Sequence, residues 1–147
     1  MKFIKVMALV LSALAISSSF SISSYAENLS PIIDEEIISE YEIAIGVSNT
    51  LTFSSATAHC ESVCTGLNNV VQISVTQTLQ KFWGMWIWND VEGAEWSESN
   101  SSNYISLFRT KSGLLSGTYR LKSVFTLTTS NGGTETITIY SLEKTIS

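Results

Sequence analysis

The residues with the most reactive side chains are a histidine and two cysteines within one short segment. His59 is the chain's only histidine, and Cys60 and Cys64 are its only cysteines. A structural zinc site needs a full set of nitrogen, sulfur or oxygen ligands, so Glu61 would have to complete it. If the segment is a strand, His59 and Cys60 point to opposite faces. The sequence therefore predicts no metal site and no bound cofactor.

The same two cysteines raise the question of a disulfide. Bridged cysteines have Cα atoms about 4.4–6.8 Å apart, whereas four steps along a strand span roughly 13 Å. Cys60 and Cys64 can therefore pair only if the chain turns or bulges between them, and Thr65-Gly66 offers a turn just beyond. An oxidising exterior favours pairing. Two alternatives stay open: a bridge, or Cys60 as a small buried residue.

A cluster of tryptophans is the stronger candidate for binding. Trp83, Trp86 and Trp88 fall within six residues, interleaved with Met85 and Ile87. On a regular strand Trp86 and Trp88 share one face, opposite Met85 and Ile87. One interpretation is an exposed aromatic platform that stacks on sugar rings or inserts at a partner surface. We favour burial of the indoles, because it removes more apolar area from water, at about 25 cal/mol per Å².

Carboxylates follow the tryptophans along the chain. Asp90, Glu92, Glu95 and Glu98 lie here, and Trp96 among them joins the candidate binding residues. Paired carboxylates can hydrolyse glycosides or bind calcium. The spacing of a calcium-binding EF-hand loop is absent, however, and a solvated acidic loop explains the cluster. With a single imidazole and no nucleophile-elbow pattern, the sequence predicts that the protein is not an enzyme.

The first residues have the features of a signal peptide. Lys2 and Lys5 are basic, Val6–Ile16 is apolar, and Ser24 and Ala26 are the small residues that a signal peptidase requires. The apolar run is 11 residues long, whereas a helix that crosses a bilayer needs about 20. We therefore expect residues 1–26 to be cleaved. The mature protein is expected to be secreted and extracellular, with no membrane span.

The charge balance restricts the partners. The chain has 13 acidic and 8 basic residues, a formal net charge of −5, and loss of the two signal-peptide lysines makes it more acidic. An acidic chain repels phosphate backbones and anionic lipid surfaces. We therefore expect no nucleic acid partner, but rather a protein or a cell-envelope glycan.

The pattern after the signal peptide indicates an acidic N-terminal arm at 27–40 and an all-β domain at 41–147. Short runs of alternating apolar and polar residues are separated by turn signals, the strongest of which is Ser130–Gly133. About seven such strands predict an immunoglobulin-like antiparallel β-sandwich. The predicted strands are Tyr41–Gly46, Leu51–Cys60 with a bulge near Ser54-Ser55, Val71–Leu79, Met85–Val91, one containing Ile105 and Leu107, one from Gly117 to Leu127, and one containing Ile137 and Ile139. Phe82-Trp83-Gly84 is predicted to turn the chain into the fourth strand, and Glu92–Asn103 is predicted to be a loop.

The phase of the alternation predicts the core. Ile73 and Val75 on one strand, and Tyr119, Leu121 and Phe125 on another, should be buried. Tyr119 stands where sandwiches often place a tyrosine whose hydroxyl bonds the backbone of the preceding corner. Leu121 occupies the position of the second disulfide cysteine of antibody domains, so the inter-sheet disulfide of those domains is absent.

Several short motifs carry a resemblance to a known group of proteins. They are Ala58-His59-Cys60, Ile73-Ser74-Val75, Leu79-Gln80-Lys81, Trp86, Gly117–Lys122 and Glu135-Thr136-Ile137. With these motifs the chain resembles small secreted immunoglobulin- or fibronectin-like β-sandwich proteins of Gram-positive bacteria, over roughly Asn49 to Ser141. The resemblance implies the sandwich fold and supplies no catalytic residue.

These observations lead to one expected function with two alternatives. We expect a secreted, non-catalytic module that acts by protein–protein or cell-envelope contact. The first alternative is a carbohydrate-binding module with a tryptophan platform. The second is a secreted bacteriocin-like or toxin-like effector, which would need an amphipathic hairpin with a continuous apolar face.

Overall fold

Alternating apolar and polar side chains build eight strands in the computed structural model, which describes residues 41–147. The predicted signal peptide (1–26) and acidic arm (27–40) lie outside the described residues. Residues 41–147 contain no helix, and thus none long and apolar enough to cross a membrane. The strands are β1 Ala44–Ser54, β2 Thr57–Gly66, β3 Val70–Gly84, β4 Ile87–Asn100, β5 Tyr104–Lys111, β6 Gly117–Thr129, β7 Thr134–Tyr140 and β8 Lys144–Ile146.

The strands form two antiparallel sheets. One has the order β1-β2-β5, and the other has the order β4-β3-β6-β7 with β8 also paired to β6. Apolar side chains from both sheets meet in a shared core. The predicted immunoglobulin-like antiparallel β-sandwich is confirmed, with the three-residue β8 as a strand that the sequence pattern did not reveal.

The core consists of two apolar clusters. The cluster nearer the β6–β7 turn contains Ile73, Val75 and Phe125, and the other contains Tyr119 and Leu121. All five of these predicted core residues are buried. The strand alternation of β3 and β6 was therefore assigned to the correct faces.

Tyr119 forms the predicted corner. Its ring is almost completely buried, and its hydroxyl donates a hydrogen bond of 2.6 Å to the carbonyl oxygen of Leu115. The bond ties the start of β6 to the loop that precedes it. Because a buried hydroxyl without a partner would be costly, this contact also explains why a tyrosine can occupy a core position.

The structure corrects the predicted boundaries of the first two strands. β1 continues to Ser54, and the predicted bulge near Ser54-Ser55 is a hairpin turn in which Ser55 has a φ of 53°. The predicted first strand, Tyr41–Gly46, begins before β1 and ends well before it does. The boundaries were missed because many side chains of β1 are exposed or half-buried. A strand with little burial has only a weak alternating pattern.

The predicted loop at Glu92–Asn103 is also wrong. Most of it belongs to β4, which lies at the edge of its sheet. Polar side chains suit an edge strand, since solvent can reach them. The strand contains an irregularity in its pairing with β3 between Asp90 and Glu95, where Gly93 has a φ of 66°.

Candidate functional site

The hairpin formed by β3 and β4 extends beyond the rest of its sheet. Pairing of β3 with β6 ends at Lys81, opposite Tyr119. Pairing of β3 with β4 continues to Gly84, opposite Ile87. Among the described residues, residues 82–88, which we call the hairpin tip, therefore pair only with each other.

Met85 and Trp86 form the turn of this hairpin. Their φ angles are 50° and 67°, so both central residues of a two-residue turn lie in the left-handed region, as in a type I′ turn. Asn and Gly normally fill these positions, and large side chains there are uncommon. The turn predicted at Phe82-Trp83-Gly84 and the strand predicted at Met85–Val91 were both placed too early, because β3 continues to Gly84 and β4 begins at Ile87.

The hairpin tip is apolar and exposed. Trp86 is 92% exposed, Met85 88%, Trp83 76% and Ile87 48%. The predicted choice between burying Trp86 with Trp88 and burying Met85 with Ile87 does not arise, because Met85 and Trp86 belong to the turn. Neither pair lies in the core. A contiguous patch of exposed apolar side chains is typical of an interaction site.

Trp88 has a different environment from Trp86. It is half-buried on the outer face of the sheet, with the Phe82 ring centroid 5.3 Å from its own. The guanidinium carbon of Arg120 lies 4.2 Å from the ring centroid of Trp88 and 4.2 Å from that of Tyr140. Arg120 also donates from Nε to the side-chain oxygen of Gln80, at 2.9 Å. These contacts attach the base of the hairpin to the outer face of the sheet.

Trp96 does not join the other tryptophans. It is half-buried, stands opposite Gln77 in the sheet and packs against both apolar clusters. The structure thus separates the four candidate residues: Trp83 and Trp86 are exposed at the tip, Trp88 stacks at its base, and Trp96 closes the core. A platform built from all four tryptophans is ruled out by this arrangement.

A cleft of about 500 Å³ lies under the hairpin, on the side that faces the β5–β6 loop. Trp83 lines it together with the apolar residues Leu114, Leu115 and Tyr119. The side chain of Lys81 lies over the Tyr119 ring, with Nζ 5.5 Å from the ring centroid. The other polar and charged residues that line the cleft are Asn89, Asp90, Glu92 and Lys111.

The basic residues of 41–147 all lie in the half of the sandwich that carries the hairpin, together with most of the acidic ones. Gln77 lies about midway along the sandwich, and we call the part between Gln77 and the hairpin tip the hairpin half. It contains five acidic residues (Glu61, Asp90, Glu92, Glu95, Glu143) and every basic residue of 41–147, whereas the opposite half has only the acidic Glu42, Glu98 and Glu135. The six basic residues are Lys81, Arg109, Lys111, Arg120, Lys122 and Lys144.

The histidine and the cysteines lie on different faces of β2. The His59 ring stacks on Phe108, with centroids 6.1 Å apart, while Cys60 and Cys64 are buried and unpaired. The predicted alternative of a disulfide is wrong, because β2 pairs without a register shift from Cys60 to Cys64. A regular strand keeps such cysteines too far apart. Within residues 41–147, no three His, Cys, Asp or Glu side chains are grouped to hold a metal ion.

Both thiols are held in their neutral form. Burial raises the pKa of Cys60 to about 12. Burial, together with the negative charge of Glu135, raises the pKa of Cys64 to about 11. Since the thiolate is the reactive form, these cysteines act as small core residues, which was the second of the two alternatives.

Comparison with known proteins adds little. No known family model matches the chain, and no curated protein is significantly similar to it. Among solved structures it is similar to wild-type OgpA from Akkermansia muciniphila, at 12% identity and a TM-score of 0.34. The match covers 68% of this chain and 29% of that one, so this chain spans well under half of that protein. The likeness carries no information on function.

Proposed function

We propose that the protein is a secreted, non-catalytic β-sandwich module that works by contact with a protein or a cell-envelope surface, and that the hairpin tip makes the contact. The observation that carries this proposal is the pair Met85 and Trp86. They are the most exposed large apolar residues of the described chain, at 88% and 92%, and they form the apex of a protruding hairpin.

The backbone of the turn supports the same proposal. A left-handed conformation costs a residue with a side chain roughly 1–2 kcal/mol, and both Met85 and Trp86 adopt it. Neither residue recovers this cost by packing, since both side chains are in solvent. Strain of this kind is typical of functional positions. Large apolar side chains at the apex are best explained by a partner that buries them.

The described side chains also favour a binding role over a catalytic one. The two thiols are buried with raised pKa values, and the single imidazole stacks on Phe108. Nucleophilic catalysis needs an accessible nucleophile beside a base, and neither cysteine is accessible.

Secretion is the part of the proposal that concerns residues 1–26. N-terminal sequencing and intact mass of the protein recovered from culture medium test it, and a first residue of Glu27 is expected. A protein that keeps Met1 and stays in the membrane fraction would contradict it.

A double substitution, Met85→Asn with Trp86→Gly, separates binding from folding. Asn-Gly is the preferred pair for this turn, so the melting temperature should be unchanged or higher. Binding to intact cells of the producing organism should be lost. The matched control is Ile45→Ser with Leu142→Ser, which removes two exposed apolar residues outside the tip and should bind normally. Normal binding by the tip variant would refute the proposal.

Carbohydrate binding is a second candidate, and the position of Trp83 favours it. The indole lines a cleft that also contains charged and amide side chains. Such a combination suits a sugar ring, which stacks on an aromatic face and hydrogen-bonds through its hydroxyls. Trp83→Ala should then abolish binding to envelope glycans while the Met85→Asn, Trp86→Gly variant retains it, the reverse of the result expected from the first proposal.

A further inference from the structure

The shape of the hairpin tip restricts what can cover it. Met85 and Trp86 project from a turn, with Trp83 and Ile87 exposed just behind them, so the surface is convex rather than grooved. No charged residue lies between Lys81 and Asp90. A protein partner would need a matching deep apolar pocket, whereas the interfacial region of a bilayer accepts a convex apolar group of any outline. Tryptophan is enriched at that interface.

Backbone N–H and C=O groups that enter lipid need hydrogen-bond partners, and the backbone of the tip supplies some of these partners itself. Phe82 pairs with Trp88, and Gly84 pairs with Ile87, so the two arms satisfy each other's inward-facing backbone groups. Within residues 41–147, neither the outer edge of β3 beyond Lys81 nor the outer edge of β4 has a partner strand. Unpaired backbone groups are costly in hydrocarbon, which limits the tip to the hydrated headgroup region, about 5–10 Å deep.

The distribution of charged residues favours contact of the tip with a phosphate-rich surface. The hairpin half carries all six basic residues of 41–147 and five acidic ones, a small positive balance, whereas the charged residues of the opposite half are all acidic. One basic residue, Arg109, is paired with Glu98 at 3.0 Å, so the other five are the ones available to a partner surface. The net negative charge of the whole chain does not reveal this difference in charge between the two halves. Basic groups that flank an inserted apolar segment interact with lipid phosphates, and the difference in charge orients the hairpin end toward them.

We infer that the hairpin tip inserts into the interfacial region of a phospholipid bilayer, with Met85 and Trp86 entering first. Lys81 and Arg120 lie at the base of the tip, where β3 pairs with β6, and so stand at the level of the phosphates. This inference rests on the proposed function, because it names the surface that the tip contacts. It assigns Trp83 and Ile87 to the flanks of the inserted segment.

Vesicle flotation tests this directly. Wild-type mature protein is mixed with phosphatidylcholine vesicles, with and without a minority of phosphatidylglycerol. It should float with both, more strongly with phosphatidylglycerol, and its tryptophan emission should shift to shorter wavelength. Added salt should remove only the extra binding. The Met85→Asn, Trp86→Gly variant should bind about a hundredfold more weakly, as expected when two large apolar side chains are lost from the contact. The Ile45→Ser, Leu142→Ser control should bind like the wild type.

Two results would overturn the inference. One is a wild-type protein that stays in solution with both vesicle types. The other is a tip variant that floats as well as the wild type, with an unchanged melting temperature to show that it is folded. If wild-type protein ignores vesicles but still binds cells through the tip, the proposed function stands and the surface is a protein or glycan. Loss of that binding after protease treatment of the cells identifies a protein.

Discussion

The side-chain nitrogen of Gln77 donates a 2.7 Å hydrogen bond to the hydroxyl oxygen of Ser62 in the opposite sheet. The Ser62 hydroxyl lies 2.7 Å from that of Ser123, and all three side chains are completely buried. They form a polar layer between the two apolar clusters of the core. The side-chain oxygen of Gln77 has no hydrogen-bond partner within residues 41–147, so the hydrogen-bonding groups of the layer are only partly satisfied.

The unequal satisfaction of this layer leads to a stability prediction. Ser62→Ala should lower the free energy of unfolding by about 1–3 kcal/mol, because it leaves the Gln77 amide buried without its main acceptor. Gln77→Leu should be close to neutral, since it removes the unpaired oxygen and leaves Ser62 bonded to Ser123. Urea unfolding measures both, with the exposed Ser106→Ala as control. A larger loss for Gln77→Leu than for Ser62→Ala would contradict this account.

Tyr119→Phe tests the corner hydrogen bond. The change removes the hydroxyl that bonds the Leu115 carbonyl and keeps the buried ring, so we expect a loss of about 0.5–1.5 kcal/mol. Tyr140→Phe is the matched control, because that ring is half exposed and stacks on Arg120 through its face. Thermal and urea unfolding should separate the two variants. Equal stability would mean that the hydroxyl contributes nothing.

Leu121→Ala tests the assignment of strand faces. Leu121 is completely buried, and truncation of a buried leucine typically costs about 2–5 kcal/mol through lost burial and the cavity left behind. Leu142→Ala, at a residue that is 80% exposed, should change the free energy of unfolding by less than about 0.5 kcal/mol. A change of less than about 0.5 kcal/mol for Leu121→Ala would contradict the assignment of Leu121 to the core-facing side of β6.

The buried thiols predict a loss of stability at alkaline pH. In the unfolded chain both thiols ionise near pH 9.0, whereas in the folded protein their pKa values are about 12 for Cys60 and about 11 for Cys64. The unfolded state therefore binds fewer protons above pH 9, and the free energy of unfolding falls as pH rises from there toward 11–12. Replacement of both cysteines by Ala should flatten this part of the pH profile.

Reactivity of the same thiols gives an independent measurement. Folded protein should react slowly with Ellman's reagent at mildly alkaline pH, and guanidinium should expose both thiols to rapid reaction. An intact mass lower by two hydrogen atoms, with no reactive thiol in guanidinium, would show a disulfide and contradict the regular strand between Cys60 and Cys64.

The parts of the fold that could be predicted from the sequence are the strands with one well-buried face. Ile73 and Val75 on β3, and Leu121 and Phe125 on β6, alternate with polar residues because one face meets the core and the other meets solvent. The Ser130–Gly133 turn was predictable for a different reason, since Asn and Gly are typical turn residues, and Gly132 adopts the left-handed conformation with a φ of 87°. The edge strand β4 was not predicted over its whole length, because its polar segment has no strong alternation of apolar and polar residues.

The sequence by itself determined the fold class, the core residues of β3 and β6, and the role of Tyr119, because burial and turn chemistry are local properties of residue type and spacing. Only the tertiary structure decided the candidate site. The sequence predicted a turn at Phe82-Trp83-Gly84 and a strand from Met85 onward. Met85 and Trp86 are not typical turn residues, so their place at the apex follows from the pairing of β3 with β4. Basic residues scattered from Lys81 to Lys144 come together in one half of the sandwich because the strand order brings them there, and charge along a chain carries no record of that order.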